Sequence, residues 1–348
     1  MKRSVDIRVD EHSRTPKYRQ VADSIISNIS AGAIGLDKKI PSINLLSEQL
    51  GLSRDTVEKA YNILKEQRII TSVKGKGFYV TRMPTVSRLN VLFLINKLSA
   101  YKLRIYNSFL RATGEKARTD LQVYHCDESL FLKHLGQDER TYDYYVIMPH
   151  FKTASQRHIS TTDAVTDALN AIPRHKLLIL DNQLQELQGD YAEVYQDFKE
   201  DIYEALRQRR DKILRYAKLV IAYPSRSVYP YPKRILHGFR KFCVEAKRPF
   251  AVVEEFEEDR VLEPGTLYLT ITETDLVNLV KSARDQQLKP GRDVGIISYN
   301  ETPLKDLLGI TTVSTDFAEM GRIAAELAVE QRQDKVKNAF SLLDRDSL

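Results

Sequence analysis

Residues Lys39–Val80 read KIPSINLLSEQLGLSRDTVEKAYNILKEQRIITSVKGKGFYV. Pro41-Ser42 opens a helical pattern, Leu45, Leu46 and Leu50 carry its apolar face, and Gly51 stops it. Ser53 then caps a further helix whose inner stripe is Val57, Ala60, Tyr61 and Leu64. Two short helices separated only by Gly51-Leu52 predict a helix-turn-helix. Ile69–Val73 and Phe78–Val80 read as strands around the basic glycine turn Lys74-Gly75-Lys76-Gly77, a wing. Upstream, Thr15 as N-cap and Pro16 at the first helical position start another helix, with Val21, Ile25, Ile26 and Ile29 on one face.

The spacing divides the third helix into two sides. Its inner stripe anchors it to the other helices, which leaves Ser53, Arg54, Thr56 and Lys59 on the outward N-terminal side. A helix fits the DNA major groove, and its first turns reach base edges. Arg54 can pair bidentately with guanine, while the hydroxyls of Ser42, Ser53 and Thr56 suit phosphate oxygens. Lys74 and Lys76 bring charge to the wing tip, and Gly75 and Gly77 let its backbone approach a phosphate or the minor groove. Charge is distributed accordingly. Residues 1–84 hold 15 Lys and Arg against 9 Asp and Glu, so the whole +6 of the chain lies there and the remainder is neutral. That balance points to an anionic partner for the first segment alone.

This segment resembles the GntR-type winged helix: Pro-Ser before the second helix, Leu-Gly-Leu-Ser-Arg-x-Thr-Val leading into the third, and a Gly-x-Gly wing tip. The resemblance implies double-stranded operator DNA as partner. Asn44 stands where that family often has arginine, and Glu58 where arginine commonly follows Thr-Val. Asn can read adenine and Glu can accept from cytosine, so an altered operator sequence is expected.

Residues 84–88 read as a short link between a domain spanning 1–83 and another spanning 89–348. From Leu89 onward, strand and helix patterns alternate. Strands are expected at 90–95, 122–125, 144–148, 176–180, 219–222, 250–253, 266–270, 294–298 and 310–313, and helices at 103–119, 194–215, 232–246, 274–287 and 317–331. Repeated βα units predict parallel sheets with helices on both faces, and the length predicts two lobes. The fold class is therefore α/β: an N-terminal winged helix-turn-helix followed by a two-lobed α/β body.

The run from Asp293 to Ala325 resembles the LacI/GalR effector domain, which shares its fold with periplasmic sugar-binding proteins. Its marks are the strand ending Ser298-Tyr299-Asn300-Glu301, then Ile310-Thr-Thr-Val, then a helix with Met320-Gly-x-x-Ala. The resemblance implies a small-molecule effector, a monosaccharide or its phosphate, with L-fucose or L-arabinose as first tests. It places Asn300 where the family has a sugar-binding acid, with Glu301 next, and puts Thr272-Glu273 at another strand end. The arginine usual before the Gly-Phe of the second-lobe helix is replaced by Ile235. Arg226, Lys233 and Arg234 are alternative cations. His150 and Phe151, after the strand at 144–148, are candidates for a pocket wall. Tyr101 and Tyr106 follow the first strand, where ligand contact and core packing are both open. Tyr229-Pro-Tyr-Pro can line the cleft or simply connect.

The chain has 348 residues, of which 42% are hydrophobic and 29% charged. No apolar run reaches the roughly 18 residues of a membrane span, and Met1–Asp10 lacks a secretory pattern. Cys126 and Cys243 fit no metal or redox spacing, so no cofactor is expected. No Gly-x-Ser-x-Gly, phosphate-binding loop or His-Glu-x-x-His is present, so the chain is read as a non-enzyme. The expectation is a cytoplasmic homodimeric transcription regulator, a repressor of a sugar-utilisation operon. The alternative is a winged helix fused to an enzyme-like body acting on a small metabolite.

Overall fold

The structure is a computed structural model that describes residues 7–10, 16–30, 32–82, 88–136 and 142–348. The chain divides into two compact units, Met1–Ser87 and Arg88–Leu348. The cap expected at Thr15, and residues 84–87 of the expected link, lie outside the described residues.

The first unit contains α1 (Lys17–Ser30), α2 (Ile43–Leu50), α3 (Arg54–Glu66), β1 (Ile70–Val73) and β2 (Gly77–Val80). Ser42 caps α2 by accepting from the Leu45 amide at 3.2 Å, and Gly51 ends it in the left-handed region (φ 62°). Ser53 caps α3 in the same way through the Thr56 amide. Each cap satisfies a helix-end amide and is worth about 1 kcal/mol. Val21, Ile25, Ile29, Leu46, Val57, Ala60, Tyr61 and Leu64 close into one core, with Ile70 and Val80 covering it from the strands. The hydroxyl of Tyr61, a member of that core, donates to the Pro41 carbonyl at 2.6 Å. β1 and β2 are antiparallel. Residues 37–40 add backbone bonds to β2, including Ile40 to Phe78 and Val80 to Lys38.

The second unit opens with β3 (Leu89–Ile95), α4 (Ala100–Thr113), β4 (Ala117–Val123), α5 (Glu128–Gly136) and β5 (Tyr144–Ile147). A small hairpin, β6 (Phe151–Lys152) with β7 (His158–Ile159), precedes α6 (Asp163–Asn170), β8 (Leu177–Asp181) and β9 (Ala192–Tyr195). There follow α7 (Phe198–Gln208), α8 (Arg210–Ile213), β10 (Lys218–Ala222), α9 (Lys233–Glu245) and β11 (Phe250–Val253). The chain ends with β12 (Thr266–Thr270), α10 (Glu273–Asp285), β13 (Gly295–Tyr299), α11 (Pro303–Leu307), β14 (Thr311–Thr315), α12 (Phe317–Glu330), β15 (Lys335–Lys337) and β16 (Phe340–Leu343).

Two six-stranded sheets form two lobes. The first has the order β15-β9-β8-β5-β3-β4 and is wholly parallel; the second has the order β11-β10-β12-β13-β14-β16, with only β16 antiparallel. Inner strands such as β8, β12, β13 and β14 are buried along their whole length, as a sheet covered on both faces requires. The chain passes between lobes three times: after β9, after β14 into α12, and after β15 into β16. Asn338, at the last passage, donates to Thr315 Oγ1 and the Asp316 carbonyl and so ties two passages together.

Several elements differ from the sequence reading. The strand expected at 122–125 runs from Ala117 to Val123, because β4 pairs with β3 in register from Leu89↔Ala117 to Ile95↔Val123. It is followed by a left-handed turn at His125 and Cys126 (φ 50° and 56°). The helix expected at 103–119 is correspondingly shorter and stops at Gly114. The helix expected at 194–215 is three elements. Val194 is buried in β9, and α7 begins only after Asp197, whose carboxylate accepts from the Lys199 and Glu200 amides.

Candidate functional site

In the first unit, the outward edge of α3 forms the candidate nucleic-acid interface. Ser53, Arg54 and Lys59 are exposed and Thr56 is half-buried. Ser53 Oγ and Thr56 Oγ1 lie 2.8 Å apart, so one hydroxyl proton holds the two together at the helix start. Ser42 and Asn44 are exposed at the start of α2, and Glu58 is exposed on α3 beside Lys59. At the wing tip, Lys74, Gly75 and Lys76 are exposed, and both glycines adopt positive φ (73° and 104°) that other residues avoid. A Cβ at Gly77 would also stand 2.9 Å from Lys39 Cε. Among the described residues, Arg54, Lys59, Lys74 and Lys76 have no carboxylate within ion-pair distance. These cations stand in solvent with their full charge available to an anionic surface.

In the second unit, a cleft lies between the carboxyl ends of the strands of the two lobes. Its first-lobe wall has Asn96 and Lys97 after β3, Tyr101 and Lys102 in the first turn of α4, His150 after β5, Asp181 at the end of β8 and Gln196 after β9. Its second-lobe wall has Pro230, Tyr231 and Pro232, Ile235 in the first turn of α9, and Tyr299 and Asn300 at the end of β13. Phe198 and Phe317, the first residues of α7 and α12, stand where the chain passes between lobes.

The floor is a buried polar chain centred on Asp181. Its carboxylate accepts from Lys102 Nζ at 3.1 Å and from His150 Nε2 at 3.0 Å on one oxygen, and from Gln196 Nε2 on the other. His150 Nδ1 lies 2.8 Å from His158 Nε2. Burial, then the Lys102 charge, lowers the His150 pKa, and burial lowers that of His158 to about 3. Both rings are therefore neutral at pH 7. A neutral His150 that donates from Nε2 to Asp181 must accept at Nδ1, so His158 donates from Nε2. Burial alone would raise the Asp181 pKa, but Lys102 and His150 hold it below the ordinary carboxylate range. Asp181 and Asn300, from opposite lobes, both have left-handed backbone (φ 76° and 66°). Such strain at two strand ends is typical of ligand clamps.

Two residues of the cleft wall, Asn96 and Tyr299, each 4% exposed, carry polar atoms, Asn96 Oδ1 and Tyr299 Oη, without partners among the described residues. A buried polar atom with no partner is costly, so these two are candidates for a ligand hydroxyl.

Of the residues singled out by sequence for ligand contact, the structure brings Tyr101, His150 and Asn300 to the cleft. Tyr101 lies against Phe317, with ring centroids 4.9 Å apart. The other candidates are not among the residues that line the cleft. Tyr106 packs edge-on against Phe93 in the first-lobe core. Phe151 is 1% exposed, against Tyr124 and Phe131 in a core cluster of the first lobe, so it is a core residue rather than part of the pocket wall. Arg226 is exposed, and its backbone amide donates to Glu254. Lys233 is exposed, and Arg234 pairs with Asp197 at 2.7 Å. Thr272 caps α10 through the Asp275 amide, and Glu273 is exposed beyond it. Glu301 pairs with Arg345 at 2.9 Å and receives the Thr312 hydroxyl.

Comparison with known proteins follows the same division. Residues 17–80 match the family described as Bacterial regulatory proteins, gntR family, and residues 214–344 match the Periplasmic binding protein-like domain. The mannosyl-D-glycerate transport/metabolism system repressor of Escherichia coli (strain K12) is 40% identical over 65 residues, 19% of this chain and 27% of that protein. The arabinose metabolism transcriptional repressor of Geobacillus stearothermophilus is 36% identical over 67 residues, 19% of this chain and 18% of that one. The matches thus span about a quarter or less of these relatives. The second unit has the fold of the trehalose repressor from Escherichia coli, with a TM-score of 0.59 and 21% identity over 74% of this chain and 100% of that one. A LacI family regulator from Lactobacillus casei with bound glucose superimposes with a TM-score of 0.56 and 14% identity, over 74% of this chain and 99% of that one. The chain carries a gntR-type helix-turn-helix domain followed by a periplasmic-binding-protein-like body, the latter with the architecture of LacI-family regulators.

Proposed function

We propose that this protein is a ligand-responsive, sequence-specific transcription regulator, with residues 1–83 reading operator DNA, 84–88 as the link and 89–348 binding the effector. The observation that carries this reading is a combination on one chain. An exposed helix edge whose cations have no carboxylate partner among the described residues belongs to a gntR-type domain, and the cleft wall of a two-lobed body includes residues with buried polar atoms unpartnered among the described residues. On the DNA side, Ser53, Arg54, Thr56 and Lys59 read the major groove, Ser42 touches a phosphate, Asn44 reads an adenine, and Lys74–Gly77 holds a phosphate or the minor groove. On the ligand side, Tyr101, His150 and Asn300 act with the cleft residues that sequence alone did not single out.

The effector is a monosaccharide or its phosphate, and the operon it governs serves sugar utilisation. The repressors of arabinose metabolism and of mannosyl-D-glycerate metabolism among its relatives, and glucose in a structure of like fold, support that choice. Ligand closing the cleft shifts operator affinity by as much as it prefers one shape over the other. The protein works as a homodimer in the cytoplasm, because one winged helix reads a half-site and two-fold symmetry matches a palindrome. Among the described residues, no helix is long and apolar enough to cross a membrane.

A mobility-shift titration against the region upstream of its own operon tests the proposal. Binding should weaken steeply with salt, and L-fucose, L-arabinose or another sugar of a broad panel should change it. Binding indifferent to salt and to every sugar would rule the reading out.

A further inference from the structure

The charges that line the cleft do not balance. Lys102 and Asp181 neutralise each other at 3.1 Å, and His150 is neutral. At the rim, Arg234 is matched by Asp197. Lys97 is left over: among the described residues no carboxylate comes within ion-pair distance of its ammonium. Instead it lies over two aromatic faces of the opposite lobe, 4.8 Å from the Tyr231 ring centroid and 5.5 Å from that of Tyr229. Burial, with Lys102 nearby, lowers its pKa to about 8, which expresses the cost of keeping this cation in the cleft without a counter-ion.

A second feature converges on the same place. Tyr231 and Pro232 lead directly into α9, and Pro232 and Ile235 line the cleft. The helices α4, α7 and α12 also begin at the cleft, and their first amides are held by Ser99, Asp197 and Asp316. The N-cap of α9 is Pro232, which offers no side-chain acceptor, so the partial positive charge of that 13-residue helix is uncapped there. A cation over the Tyr231 ring, and an uncapped helix whose N-cap is the next residue in the chain, make a position suited to an anion. In the same cleft, Asn96 and Tyr299 carry one acceptor and one donor without partners among the described residues.

We infer that the effector is an anionic polyol, a sugar phosphate or sugar acid, whose charged group sits between Lys97 and the start of α9 while its hydroxyls satisfy Asn96 and Tyr299. This rests on the cleft being the effector site. It adds that a neutral sugar leaves Lys97 unpaired when the lobes close, and that an anionic one does not.

The test uses the full chain and matched series: glucose, glucose 6-phosphate and glucuronate; arabinose, arabinose 5-phosphate and arabinonate; fucose, fucose 1-phosphate and fuconate. Inorganic phosphate serves as control. Thermal shift identifies the binding series and calorimetry measures Kd. The phosphate or the acid of one series should bind at least about tenfold tighter than its neutral parent, and which of the two is preferred identifies the anion. Lys97→Met should lower the affinity for the anionic form at least about tenfold more than the affinity for its neutral parent, and Lys97→Arg should keep the preference. A neutral sugar that binds as tightly as its anionic forms overturns the inference. So does a Lys97→Met variant that weakens neutral and anionic forms equally, because the lysine then only holds the Tyr229–Pro232 segment over the cleft. Inorganic phosphate that stabilises as much as any sugar phosphate also overturns it. If no sugar of any series binds, the cleft reading fails as well.

Discussion

Asp181 shows how one residue can govern a cleft. Four groups define its setting: Lys102 and His150 on one oxygen, Gln196 on the other, and its own left-handed backbone. Lys102 is 1% exposed, so removing its counter-charge strands an ammonium inside the protein. Asp181→Asn should therefore cost about 3–5 kcal/mol in urea unfolding. Adding Lys102→Met should recover much of that loss, and a strictly additive double variant would show that the two residues are not coupled. The DNA side separates at the same scale. Arg54→Ala should weaken operator binding by about 1–3 kcal/mol and relax preference at one base pair. Lys74→Ala should weaken all sequences alike and reduce the salt slope by about one. Anisotropy titrations over a salt series on cognate and scrambled duplexes distinguish the two. Arg54 and Lys74 were legible in sequence because their roles follow from local spacing. Asp181, Lys102 and Asn96 were not, because they meet only when distant strand ends come together. The available signal was a polar residue at the carboxyl end of each buried strand, which Asn96, Asp181 and Gln196 all satisfy.

At the scale of elements, α4 and α12 pack backbone against backbone. A Cβ on Gly321 would come 2.2 Å from the Ile105 carbonyl oxygen and 2.8 Å from Ser108 Cβ. The Ser108 hydroxyl crosses the same junction to the Ala318 carbonyl at 2.6 Å. These two helices carry Tyr101, Lys102 and Phe317 into the cleft, so their spacing sets part of its width. Alanine is the better helix former by about 1 kcal/mol. Gly321→Ala should nonetheless lower stability by about 1–3 kcal/mol, because the helices must separate. An unfolding midpoint that rises would contradict this packing. In sequence, Met320-Gly321 was visible as a motif while its reason was not. Strands at 250–253 and 266–270 were read correctly to the residue because they are short apolar runs between turns. β9 and α7 merged into one expected helix because only Gln196-Asp197 separates two apolar patterns, with no glycine or proline to mark the change.

For the whole molecule, the same buried chain that shapes the cleft makes stability depend on acid. His158 has a folded pKa of about 3 against 6.5 when free, and His150 is lowered in the same direction. Between these limits the unfolded chain binds protons that the folded one refuses. The His158 contribution is therefore fully present above about pH 6.5 and declines as pH falls toward 3, by up to about 1.4 kcal/mol per pH unit, and His150 acts in the same direction. Asp181, held below its free value of 3.8, adds a further loss at still lower pH. Burial raises Glu193 and Asp201 above the usual carboxylate range, so near pH 4–5 they act in the opposite sense. The decisive quantity is thus the difference between wild type and His158→Gln, whose amide can still donate to His150. Urea unfolding from pH 7.5 to 4 should show a shallower acid decline in the variant, with the two curves converging in shape above pH 6.5. Parallel curves throughout would mean that His158 does not titrate on unfolding in this window.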